Sequence, residues 1–267
     1  MTDEFIPFCE ELWRSWLSNK LDLEAIRNLS FDLEAAPEPY ISFDDGGNPL
    51  VALTTNPGAS IPQQQRASVR SASGPLDERD TYALTAKKLG AFYAGEHAPI
   101  SATARQRIRA LNALARDVGL DGVLQVEACP FHSPTLSMGR KRAMLKIIQK
   151  GGFLSQYTER LQAFLQGRTV VIVSAVSSRE SLKKSTSLSD WVRWKASIAG
   201  LDLNQASFLE LVKNPAGKTT AAAHLTCVNG ISKVLVLMMG GNHLPAETGG
   251  LKTLAESMQL GRKSALA

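Results

Sequence analysis

Four short runs rich in Val, Leu and Ile constrain this chain more than any other feature: residues 49–53, 123–126, 169–173 and 233–239, each bounded by turn residues. Apolar runs this short, without strict two-residue alternation, are the pattern of strands covered on both faces, as in parallel sheets. Helical spacing fills the intervals. It runs over 78–93 and 102–118 before the second run, 140–166 before the third, 187–212 before the fourth, and 247–260 after it. Strand–helix alternation of this kind predicts an α/β fold, a three-layer sandwich around a central four-stranded parallel sheet with right-handed crossovers.

Residues 1–48 differ in character. An amphipathic helix over about 10–29 is followed by the acidic, proline-bearing stretch APEPYISFDDGGNP. We expect a helical extension packed on a core domain spanning 49–267, with Phe5, Phe8, Trp13 and Trp16 as core contacts. The 267 residues, 44% of them hydrophobic, suffice for one sizeable domain. No apolar run nears the roughly 20 residues that span a bilayer, and the start carries early acids where a leader has a basic segment, so a cytoplasmic monomer is expected.

Composition narrows the chemistry. Cys9, Cys129 and Cys227 lie far apart, as do His97, His132, His224 and His243. Neither a disulfide framework nor the paired spacing of a metal or iron–sulfur site is present, so no metal or cofactor is expected. A net charge of +5 makes a polyanion a natural partner.

In an open parallel sheet ligands bind beyond the carboxyl ends of the strands. The first run ends in Thr54-Thr55-Asn56-Pro57-Gly58, the second in Glu127-Ala128-Cys129-Pro130-Phe131-His132, and the fourth in Gly240-Gly241-Asn242-His243-Leu244-Pro245. Pro57 biases Asn56 towards extended backbone, and Gly58 permits close approach of a ligand. His243 is the residue type best able to donate a proton or hydrogen bond near neutral pH, and at the same sheet edge it faces the crevice that Asn56 faces.

These three strand ends resemble the uracil-DNA glycosylase superfamily. Thr55-Asn56-Pro57-Gly58 is similar to the first active-site motif of its mismatch-specific and single-strand-selective branches. Cys129-Pro130-Phe131 is similar to the Cys-Pro-Leu that ends the second strand in the latter, and Asn242-His243-Leu244-Pro245 stands where the family has His-Pro-Ser. The resemblance covers about residues 49–260. The missing cysteine spacing sets the chain apart from the cluster-bearing branches. Three departures accompany it: Leu244 separates His243 from Pro245, no aromatic residue occurs between Ala59 and Pro75, and Glu127 stands where the family has a uracil-reading Asn. Phe131 and Tyr82 are the candidates for the base-stacking aromatic.

The resemblance implies a DNA glycosylase that flips a base and hydrolyses its N-glycosidic bond. Such a bond breaks through an oxocarbenium-like transition state, with negative charge on the departing base. We expect His243 to stabilise that base and Asn56, whose amide does not titrate, to orient the attacking water. Glu127, Cys129, Pro130 and Phe131 would line the base pocket with Thr55, Pro57 and Gly58. A carboxylate at 127 only accepts hydrogen bonds, which suits the exocyclic amine of a cytosine-type base. The expected substrate is a modified cytosine, such as the glucosylated hydroxymethylcytosine of some phage genomes, removed as an antiviral defence. Arg66, Arg70, Arg140, Lys141, Arg142 and Asn242 are expected to hold phosphates, with Leu244 as the wedge that fills the vacated stack. Uracil or mismatch repair, a non-catalytic nucleic-acid-binding module and a small-molecule enzyme using the same crevice are the alternatives. The last lacks a G-x-S-x-G elbow, a P-loop and a G-x-G-x-x-G fingerprint.

Overall fold

A computed structural model describes residues 4–43, 47–95, 102–134, 136–239, 244–245 and 249–264. The chain divides into two units. Unit 1 comprises Met1–Phe43, Thr55–Pro99 and Gln125–Phe164, and unit 2 comprises Asp44–Thr54, Ile100–Leu124 and Leu165–Ala267.

The protein is α/β, with a seven-stranded mixed sheet in place of the expected four parallel strands. All four expected strands form: β2 (Leu50–Thr54), β3 (Val123–Glu127), β4 (Val170–Val176) and β7 (Ile231–Met239). Three more join them: β1 (Tyr40–Ser42), β5 (Ser207–Lys213) and β6 (Thr219–Val228), in the order β1-β3-β2-β4-β7-β6-β5.

In unit 2, β2, β4 and β7 run parallel, with Leu53 opposite Ile172 and Val176 opposite Met239. Leu50 N–H donates to the Gly122 carbonyl (2.8 Å), so β3 starts on the same edge as β2. Every residue of β2 is buried, as a strand covered on both faces requires. β6 pairs antiparallel with β7, and β5 with β6. The β6–β7 turn is Asn229-Gly230, both at positive φ (51° and 77°), the two-residue sequence that closes a tight hairpin. The helical segment expected over 187–212 is α8 (Asp190–Ile198) alone. Gly200 at φ +77° lies just past its end, and the following SFLELVK pairs as β5 because β6 offers it a hydrogen-bonding edge. Helix α9 (Gly250–Ser264) lies against β5, β6 and β7, and α4 (Ala102–Asp117) against α9.

Unit 1 is built on aromatic packing. In α1 (Phe5–Leu17) the buried residues Phe5, Phe8, Cys9, Leu12, Trp13 and Trp16 repeat at helical spacing, so the stripe is core. Trp13 and Trp16 stack at 5.5 Å, and their indole N–H groups donate to the carbonyls of Asp80 and Leu33. The helix ends sooner than the expected residue 29. Asn19 adopts φ +56°, which Asn tolerates better than most residues, and a 3-10 turn (Glu24–Leu29) follows. Likewise 140–166 is two helices, α5 (Met138–Lys150) and α6 (Phe153–Gln166), separated by Gly151 and Gly152 at φ +91° and +87°. Gly90 in α3 (Tyr82–Ala94) lets that helix meet β1, since a Cβ there would sit 1.8 Å from the Ser42 carbonyl oxygen. The short helices α2 (Arg66–Arg70) and α7 (Glu180–Lys183) lie in unit 1 and unit 2 respectively.

Candidate functional site

In the sheet β2 has β3 on one side and β4 on the other. The Thr55-Asn56-Pro57-Gly58 turn follows β2.

Within unit 1 the first two motifs are joined. Cys129 N–H donates to the Thr55 carbonyl (2.9 Å), and Asn56 Nδ2 donates to the Ser133 carbonyl (3.0 Å). The second bond fixes the Asn56 amide and leaves Oδ1 as its acceptor face. Gly58 holds φ +88° with open space where a Cβ would be, so its backbone, not crowding, requires glycine. Residues 55–58 are half-buried, whereas 127–133 are buried throughout.

Glu127 is almost wholly enclosed. Its Oε1 accepts from Gln125 Nε2 (2.8 Å), its N–H donates to the Pro39 carbonyl (3.0 Å), and its carbonyl accepts from the Tyr157 hydroxyl (2.7 Å). Cys129 is also fully buried, and burial pushes its thiol up to about 12, so it is no nucleophile near neutral pH.

Four residues outside the expected set form a buried polar cluster beside the second motif. Glu38 and His132, each 1% exposed, approach to 3.6 Å between Oε1 and Nε2. The same carboxylate oxygen accepts from the Tyr93 hydroxyl (2.9 Å) and from Gln64 Nε2. Burial pulls the His132 imidazole down, but the carboxylates of Glu38, Asp32 and Glu127 together carry it above the ordinary histidine range. Burial, then Glu38, raises the Tyr93 phenol well above its usual value, so it stays a neutral donor. Asp32, whose N–H donates to the His132 carbonyl (2.9 Å), accepts from Ser60 Oγ (2.5 Å) and Gln65 Nε2 (2.8 Å). Burial works against this carboxylate, but these bonds and those from the Ala35 and Glu34 amides lower its pKa. A carboxylate set between Pro37 and Pro39, just ahead of a Tyr-Ile-Ser strand, was the available signal for Glu38. His132, directly after Cys-Pro-Phe, was the other.

The remaining expected residues fall in varied places. Phe131 and Tyr82, the stacking candidates, are both core: Phe131 packs between Phe31 and Phe153, each at 6.0 Å, and the buried Tyr82 donates to the Tyr40 carbonyl (2.9 Å). Leu244, proposed as wedge, is 4% exposed, and its carbonyl accepts from Gln106. Arg66 lies over Trp16 at 4.2 Å, donates to its carbonyl and pairs with Glu34 at 3.3 Å. Arg70 donates to the Leu17 carbonyl and Arg140 to Ser30 Oγ. Lys141, half-buried with its ammonium pulled down by burial, and the exposed Arg142 make no side-chain polar contact among the described residues. Asn242 and His243 lie outside the described residues.

Among the described residues no group of His, Cys, Asp and Glu is arranged to hold a metal ion, and no helix is long and apolar enough to cross a membrane. Comparison with protein-family models, curated proteins and solved structures returned no match.

Proposed function

We propose that this protein is a DNA glycosylase of the uracil-DNA glycosylase type, a three-layer α/β enzyme that hydrolyses the bond between a flipped-out base and its deoxyribose. The observation that carries the reading is Asn56: a non-titrating amide on the turn that follows β2, clamped through Nδ2 so that its carbonyl oxygen is left to accept. That is the requirement for a residue that orients water without deprotonating it, in a reaction driven by positioning and by stabilising the leaving base. His243 supplies the second part, donating to the base as negative charge develops on it. The substrate is a modified cytosine. Glu127, held by Gln125 as a fixed acceptor, suits an exocyclic amine and offers nothing to the O4 of uracil.

Incubation with DNA carrying uracil, cytosine or glucosylated hydroxymethylcytosine, followed by alkali, tests the reading. Strand breaks at the modified cytosine are expected. Asn56→Ala and His243→Ala should each lower base release about 100- to 1,000-fold, the usual cost of one pre-aimed polar group, with DNA affinity changed only a few-fold. Unchanged release in both variants removes the site assignment, and release of uracil alone removes the substrate.

A further inference from the structure

Unit 2 carries a basic pocket of its own. An open cavity of about 490 Å³ is lined by the segment after β4, the end of β5 and the start of β6. Strand register fixes its place. Val176 pairs with Met239, Met238 with Ala221, and Thr219 with Lys213, so the pocket lies at the carboxyl edge of the parallel strands of this unit.

Its lining holds five cations, Arg179, Lys183, Lys184, Lys213 and Lys218, against two carboxylates. Both carboxylates are engaged within the wall. Glu210 meets Lys213 at 2.8 Å and Lys183 at 3.6 Å and accepts from Thr219 Oγ1 at 2.6 Å, while Glu180 pairs with Lys184 at 3.2 Å. These contacts hold the Glu210 carboxyl down at about 2, so it remains charged at any working pH. Arg179 and Lys218 make no ion pair among the described residues, and the excess of positive charge faces solvent across the cavity.

We infer that this pocket grips the phosphodiester backbone of a nucleic acid, independently of its sequence. Three features select that ligand. The excess of charge is positive. The lining contains no aromatic side chain on which a base would stack. Four of the five cations are lysines, mobile point charges that follow a backbone, where a discrete phosphate ester would favour the planar fork of several arginines. This grip does not depend on Asn56 or on base release: a protein that releases no base still has it.

The test is the salt dependence of binding to a duplex with no modified base, for the full chain and for Arg179→Gln combined with Lys218→Gln. Each phosphate contact contributes about 0.9 to the slope of log affinity against log salt, so the double variant should lose close to two units of slope, and roughly tenfold or more in affinity at about 0.1 M salt. Lys20→Gln combined with Lys252→Gln, the same charge removed elsewhere, should leave the slope unchanged. Titration with inorganic pyrophosphate, followed by calorimetry, separates the other source of the same chemistry. An unchanged slope in the first variant overturns the inference, as does an equal fall in the control. Pyrophosphate binding lost in the first variant without a change of slope also overturns it and assigns the pocket to a small phosphate ester.

Discussion

Two polar regions of this molecule invite comparison: the buried cluster of unit 1 and the basic pocket of unit 2. In the first, one carboxylate, Glu38, receives Tyr93 and Gln64 and faces His132, and both members of the pair are 1% exposed. In the second, seven charged side chains share an open wall, with side-chain exposures of 57% for Lys183 and Lys213 and 65% for Lys184. The two differ in what water can do. A charge removed from the cluster leaves its partners in a medium that cannot solvate them, whereas a charge removed from the pocket is replaced by solvent and ions. The cluster therefore contributes to the fold through each member, and the pocket acts only as a sum.

The sharpest way to break this comparison is Glu38→Ala. It leaves Tyr93 and Gln64 without their common acceptor and His132 without its facing carboxylate, and should cost about 3–5 kcal/mol, the usual consequence of removing one partner of a buried pair. Denaturant unfolding measures it, and a loss below about 1 kcal/mol would mean that water reaches the cluster.

Gly58→Ala comes next. The turn needs φ +88° and has open space around the missing Cβ, so the cost is backbone strain alone, about 1–2 kcal/mol. On the proposed function, base release should fall with it, because the same turn aims Asn56. A variant as stable as the parent would show that the turn relaxes to another conformation.

The pH dependence of stability distinguishes the two units by sign. His132 in unit 1 has its pKa raised by the surrounding carboxylates, so its stabilisation is complete below about 6.5 and is lost as pH rises through the folded value. Lys233 in unit 2 donates to the carbonyls of Leu165 and Arg168, but burial, and then Arg168, bring its ammonium down to about 8 from 10.5. Its folded form holds fewer protons than the unfolded chain between those values, so its contribution to stability rises with pH there. Urea midpoints measured from pH 6 to 10 should fall and then recover. His132→Gln should flatten the first limb and Lys233→Met the second.

The smallest effect is expected in the pocket. Lys184→Gln removes one exposed i,i+4 pair and should alter stability by less than about 0.5 kcal/mol. A larger loss would mean that the pocket, like the cluster, is part of the framework.

The two regions also differ in how legible they were. The four central strands stood out in the sequence because a strand covered on both faces must be apolar at nearly every position, whatever surrounds it. The end of β2 was equally plain, since Pro57 and Gly58 punctuate the chain locally. β5 and β6 carry no such mark. SFLELVK carries helical and strand patterns alike, and only pairing with β6 resolves it, although Asn229-Gly230 announced the β6–β7 hairpin. The basic pocket is invisible in the sequence for a similar reason: its lysines come from two stretches, residues 183–184 and 213–218, that only the folded chain brings together.

By itself, then, the sequence determined the α/β class, the central strands, the aromatic stripe of α1 and the Asn56 turn. Each of these depends on the periodicity or the backbone preference of residues adjacent in the chain. The tertiary structure alone decided that Glu38 from the N-terminal segment meets His132, that Phe131, Tyr82 and Leu244 are core, and that Arg66 is held over Trp16. A polar or aromatic side chain carries no local mark of whether it will be buried. Its environment is set by residues distant in sequence, and the free energy of burying it depends on partners that only the folded chain supplies.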